Sequence, residues 1–119
     1  MRFHGTYNYT APELFIDEID DIPSSEYFKV DIWSLGVTIY EIYHRDNLFL
    51  GDTRQESKKQ ICDGEIKVDL SDPIDQLVKA MLIKDPSMRP DIDECLKLCD
   101  QYFGPQYIEM KKIKIRTSS

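Results

Sequence analysis

No apolar run in this sequence reaches the length needed to cross a bilayer, and the N-terminus lacks the apolar core of a secretory signal. Both absences argue for a soluble chain inside the cell, with the cytoplasm as the expected compartment. Cysteine is scarce. Cys62, Cys95 and Cys99 make an odd count, which builds no disulfide framework and fits a reducing compartment. Internal repeats and low-complexity blocks are missing, and strand-like alternation is weak. Positive charge is outnumbered over most of the chain, where the body to Met110 carries 11 basic against 22 acidic residues. The net charge is -7, and all 22 acidic residues precede Met110. An acidic body argues against nonspecific binding of nucleic acid. The exception is the end of the chain, where Lys111, Lys112, Lys114 and Arg116 form a basic tail, read here as a solvated terminus.

What is present is enough apolar material for one domain with a core: 41% of 119 residues. The three clearest patterns are helical. In Tyr27–His44, "YFKVDIWSLGVTIYEIYH", apolar residues point in nearly every direction of a helical wheel. A helix of that kind is expected to be buried on all sides, with Ser24 or Ser25 as its cap. In "DPIDQLVKAML", Ile74, Leu77, Val78, Met81 and Leu82 form one stripe. Asp72 is placed to cap that helix and Pro73 to occupy its first position. In "DIDECLKLCDQYF", Asp91 and Glu94 have capping-box spacing. Ile92, Cys95, Leu96, Cys99, Tyr102 and Phe103 form the stripe, and Gly104-Pro105 ends it. A weaker helix is expected over 54–63, stopping at Gly64. Two amphipathic helices and a weak one are few to cover the central helix. The expectation is that part of the structure lies elsewhere.

Three motifs follow one another along the chain: "GTYNYTAPE" (5–13), "KVDIWSLG" (29–36) and "IKDPSMRP" (83–90). Their order and spacing resemble the C-terminal lobe of a eukaryotic protein kinase, from the end of the activation segment onward. The resemblance implies a mainly α fold: an incomplete helical C-lobe without N-lobe or catalytic loop. It covers 1–104, with 105–119 as a tail, and places the beginning of the activation segment before Met1. Gly5-Thr6 ahead of Ala11-Pro12-Glu13 resembles the Ser/Thr-specific branch. Gly5, Thr6 and Tyr9 would belong to the loop that receives the substrate, with Thr6 facing a catalytic Asp and Lys from an upstream loop. Glu13 and Arg89 resemble the family's buried ion pair. Asp31 resembles the buried carboxylate that anchors the catalytic loop, and Trp33 and Gly36 resemble packing positions on the central helix.

The family's chemistry needs parts that these residues do not include. There is no G-x-G-x-x-G, no V-A-I-K, no D-F-G, and no H-R-D ahead of Ala11-Pro12-Glu13. His44-Arg45-Asp46 spells the catalytic triplet but follows the central helix, and Gly51 stands where the triplet's Asn belongs. No catalytic residue is therefore expected in this chain. No ATP or Mg²⁺ is expected to bind it; both belong to a full-length parent. Partners implied by the resemblance are protein substrates or regulators, the other part of the kinase, or a second copy. Cys95 and Cys99, spaced i, i+4, present a zinc-like pair without further ligands and read as core residues. The acidic run Asp17, Glu18, Asp20 and Asp21 lacks the glycine and bidentate Glu of a calcium loop. Two functions remain open: the C-terminal part of a Ser/Thr kinase domain, inactive alone, or a noncatalytic interaction module that uses the substrate loop and the helix near Arg54.

Overall fold

The computed structural model describes residues 7–16 and 27–117, with Tyr27 and 105–117 described by backbone alone. The acidic run 17–21, the cap residues Ser24 and Ser25, Gly5 and Thr6 lie outside the described residues. Five helices run in chain order: α1 (Glu13–Ile16), α2 (Tyr27–His44), α3 (Arg54–Lys58), α4 (Pro73–Met81) and α5 (Ile92–Thr117). No strand occurs among the described residues.

α2 has the length that its pattern predicts. α4 packs against it, and α5 packs against α4. One core joins Ala11 and Phe15 to Trp33 and Val37 of α2, Phe49, Ile61, Val78 and Leu82. A second joins Ile32, Leu77, Met81 and Cys95. Trp33 is fully buried and stacks on Phe49 with ring centroids 6.2 Å apart. The expected burial of α2 on all sides is corrected here. Its packed face holds Ile32, Trp33, Gly36 and Val37, while Phe28, Leu35, Tyr43 and Ile42 are exposed, the last at 73%.

Gly36 sets how closely α2 approaches the end of α4. A Cβ there would stand 3.0 Å from both Met81 Cβ and Leu82 Cδ2. The helix starts follow their caps. Asp72 accepts a bond from the Ile74 N–H at 2.9 Å, and Pro73 opens α4 without needing a donor. Asp91 accepts from the Glu94 N–H at 2.8 Å, and Glu94 accepts in return from the Asp91 N–H at 3.3 Å. Thr53 caps α3 by accepting from the Glu56 N–H at 3.2 Å.

The helix expected over 54–63 is present in two parts. α3 passes into a π-helical turn, Lys59–Asp63, which ends at Gly64. The turn buries Ile61 and leaves the Cys62 carbonyl to accept Lys84 Nζ at 3.0 Å. Gly104 has φ of 66° and breaks the helical path of α5, as Gly104-Pro105 predicts, but the chain then resumes helix to Thr117. Cys95 lies in the core, and burial pushes its thiol up to about 11.

Gly36→Val is expected to destabilise the fold by about 1–3 kcal/mol, because overpacking must part α2 from α4; an unchanged urea midpoint would contradict the close approach. For Cys95, the raised pKa means that the folded state holds its proton longer than the unfolded chain. The resulting stability is complete at neutral pH and drains away as pH rises from about 9 towards 11. At pH 8 Cys95 should alkylate about a hundredfold more slowly than the same thiol in urea. Equal labelling rates by mass spectrometry would remove it from the core.

Candidate functional site

The site is built on the loop that enters α1. Tyr7 to Thr10 form a turn closed by the Thr10 N–H to the Tyr7 carbonyl at 3.1 Å. Asn8, inside that turn, is buried. Its Nδ2 donates to the Gly51 carbonyl and its Oδ1 accepts from the Gly51 N–H, both at 3.1 Å. The Ser57 hydroxyl donates to the same Oδ1 at 2.7 Å. A Cβ at position 51 would stand 2.4 Å from the Ser57 backbone nitrogen, so glycine is needed for this close approach. Sequence reasoning missed this clamp. Its members lie 43 and 49 residues apart, and no local pattern announces them.

Tyr9 is held at both ends. Its carbonyl accepts the Ser34 hydroxyl at 2.8 Å, and its own hydroxyl donates to the Glu41 carboxylate. That bond raises the Tyr9 pKa, with burial and the Glu41 charge adding to the effect. Both partners are on α2, so α2 fixes the position of the loop. Gly5 and Thr6, the other two expected loop residues, lie outside the described residues.

Behind the loop, Arg89 meets Glu13 in a two-point pair: Nη1 to Oε2 at 2.8 Å and Nη2 to Oε1 at 2.9 Å. Arg89 is 1% exposed and Glu13 6%. The guanidinium also donates to three carbonyls: Nε to Ile83 at 2.8 Å, Nη1 to Lys29 at 2.8 Å and Nη2 to Lys84 at 3.1 Å. Five bonds match the five N–H groups of arginine. The Trp33 ring lies 5.2 Å from the guanidinium carbon, within cation–π range. Trp33 Nε1 itself is buried without a hydrogen-bond partner.

Asp31 lies on the surface of α2. By resemblance it is the anchor of a catalytic loop; here its side chain is exposed. It lines an apolar groove of about 470 Å³ with Phe28, Leu35 and Ile92. The triplet His44-Arg45-Asp46 has a structural place. His44 Nε2 lies 2.7 Å from Oδ1 of Asp75, a buried residue of α4 whose Oδ2 accepts the Asp69 N–H at 2.9 Å. Arg45 has φ of 54° and turns the chain out of α2. Among the described residues, no three His, Cys, Asp or Glu side chains gather into a metal-binding group, and no helix is long and apolar enough to cross a membrane.

Arg89→Ala leaves the buried Glu13 uncompensated and should cost about 3–5 kcal/mol. Arg89→Lys should restore little of it, since an ammonium supplies neither the fork nor enough donors for three carbonyls. Thermal melting checks both, and a melting temperature unchanged in Arg89→Ala would remove the pair from its place in the fold.

Comparison with known proteins adds a family to this geometry. Residues 1–103 match the model of the protein kinase domain. The chain is 37% identical over 91 residues to calcium-dependent protein kinase 6 of Plasmodium berghei, covering 72% of this chain and 6% of that protein. It is 35% identical over 95 residues to the serine/threonine-protein kinase SIK3 homolog of Danio rerio, covering 78% of this chain and 8% of the relative. Among solved structures, that of the Rad53 kinase domain and SCD2 superimposes with a TM-score of 0.59 at 27% identity, over 80% of this chain and 35% of the other. The chain thus spans a small part of the length of its relatives. Its helices are part of the helical C-terminal lobe of the kinase fold, and the chain belongs to the protein kinase domain family, alongside serine/threonine kinases.

Proposed function

We propose that this chain forms the substrate-side floor of a serine/threonine kinase domain. The parent protein would transfer the γ-phosphoryl of ATP to Ser or Thr hydroxyls of protein substrates. The observation that carries this reading is the anchoring of the loop that enters α1. Arg89 and Glu13 lock its end, Asn8 clamps it to Gly51, and Ser34 and Glu41 of α2 hold Tyr9. Catalysis of phosphoryl transfer is mostly positioning and electrostatic stabilisation. These residues position. In the parent, Gly5, Thr6 and Tyr9 would receive the residue beside the phosphoacceptor.

The electrostatic half of the work has no residues here. No glycine-rich loop, strand lysine, catalytic Asp or metal-binding Asp occurs in its required order. ATP and Mg²⁺ are therefore assigned to the parent. The 119 residues alone are assigned no phosphotransferase activity. Incubated with Mg-ATP and a Ser/Thr peptide substrate, the purified chain should transfer no phosphate. Mg-ATP-dependent phosphorylation, with contaminating kinases excluded, would overturn that. An immunoblot of native cells with antibody against the C-terminal tail tests the parent. A band much larger than 14 kDa supports it, and a band at 14.0 kDa counts against it.

A second reading is a noncatalytic module that binds substrates or regulators. It is favoured by the groove where Phe28 and Leu35 of α2 meet Ile92 of α5, all three exposed. An apolar surface of this kind marks an interface. A stable monomer in sedimentation would count against this reading.

A further inference from the structure

From Gly64 to Asp69 the chain leaves the π-helical turn and runs to α4 without helix or ladder. Gly64 is extended, with φ of -74° and ψ of 155°. Beyond it burial alternates. Ile66 and Val68 pack against the core, while Glu65 and Lys67 are exposed. That is the period of a strand. Both ends are fixed: the Gly64 carbonyl accepts Lys84 Nζ, and the Asp69 N–H donates to the buried Asp75. Between them, the main chain of Glu65, Ile66, Lys67 and Val68 has no hydrogen-bond partner among the described residues.

A cavity of about 520 Å³ lies alongside, walled by Ile66, Ala80, Leu82 and Tyr102. Its charged lining is Glu65 with Lys79 and Lys84, so it is locally positive on a chain of net charge -7. We propose that the segment and cavity are a docking site for an extended acidic peptide of a partner protein. The peptide adds as a strand along 65–68 and places one apolar side chain in the cavity. Strand addition takes its affinity from main-chain pairs and its selectivity from a pocket for alternate side chains, and both are present here. Because Ile66 and Val68 already hold the segment to the core, little ordering is left to oppose binding. The exposed Lys79 selects for carboxylates on the peptide, while Lys84 is held by the Cys62 and Gly64 carbonyls. The proposal does not depend on the phosphoryl-transfer reading, because neither ATP nor a catalytic residue enters it.

The test uses the full 119-residue chain and a fluorescein-labelled hexapeptide of alternating leucine and glutamate, followed by anisotropy. Saturable binding is expected. It should vanish for the same peptide N-methylated at alternate amides, which keeps the side chains and removes the main-chain donors. It should weaken about fivefold or more in Lys79→Glu, an exposed substitution whose melting curve confirms the fold. No saturation overturns the proposal. Equal binding of the N-methylated peptide removes the strand addition, and equal binding by Lys79→Glu removes the charge selection; either result also overturns it. A dimer in sedimentation that the hexapeptide dissociates would assign the segment to a second copy of this chain and overturn the partner reading.

Discussion

The structure depends on a guanidinium that has left water. Arg89 is 1% exposed, and an unpaired charge at that depth costs several kcal/mol. The chain offsets the cost only by bringing five acceptor positions to one plane. Glu13 comes from α1, the Lys29 carbonyl from the first turns of α2, and the Ile83 and Lys84 carbonyls from the loop after α4. The planar fork fixes the directions of these bonds as well as their number. Three segments far apart in sequence are therefore placed relative to one another by one side chain. The loop that ends in Glu13 inherits that placement, and so does Tyr9, four residues earlier.

α2 translates the constraint into packing. Trp33 carries the guanidinium near one part of its ring and stacks on Phe49 with another. One turn later Gly36 lets the end of α4 come close. The last turn is tied by His44 to the buried Asp75. The polar residues of α2 take the remaining work. Ser34 and Glu41 reach the loop that enters α1, from the same helix whose apolar residues form the core. A shift of α2 would therefore disturb the loop and the core together.

Much of this was legible in the sequence, and the reason is locality. The bounds of α2 and α4 follow from apolar periodicity, and the starts of α4 and α5 from Asp72-Pro73 and Asp91 with Glu94, signals that act within one turn. Glu13 and Arg89 are 76 residues apart, and nothing local links them; the family resemblance named the pair, and the geometry sets its five bonds. The Asn8–Gly51–Ser57 clamp and the His44–Asp75 tie are equally long-range and had no such guide. The π-helical turn after α3 depends on Ile61 reaching the core, a tertiary demand that helix propensity does not register. Asp31 is the opposite case. The resemblance names a role for it that depends on other residues, and on α2 itself Asp31 is exposed.

The same distinction separates two kinds of exposed surface. Phe28, Leu35 and Ile92 are exposed because their helices are amphipathic in more than one direction, and each helix already satisfies its own backbone. A partner there would gain by burying area, with little to fix its orientation. The segment 65–68 is the reverse case. Its apolar side chains are already on the core, and what remains open is directional: main-chain donors and acceptors in strand period, beside a cavity and two lysines. Area alone gives affinity without orientation, whereas a row of hydrogen-bonding groups selects conformation and register. The short segment, and not the broader apolar face, is therefore the surface that can specify what binds it.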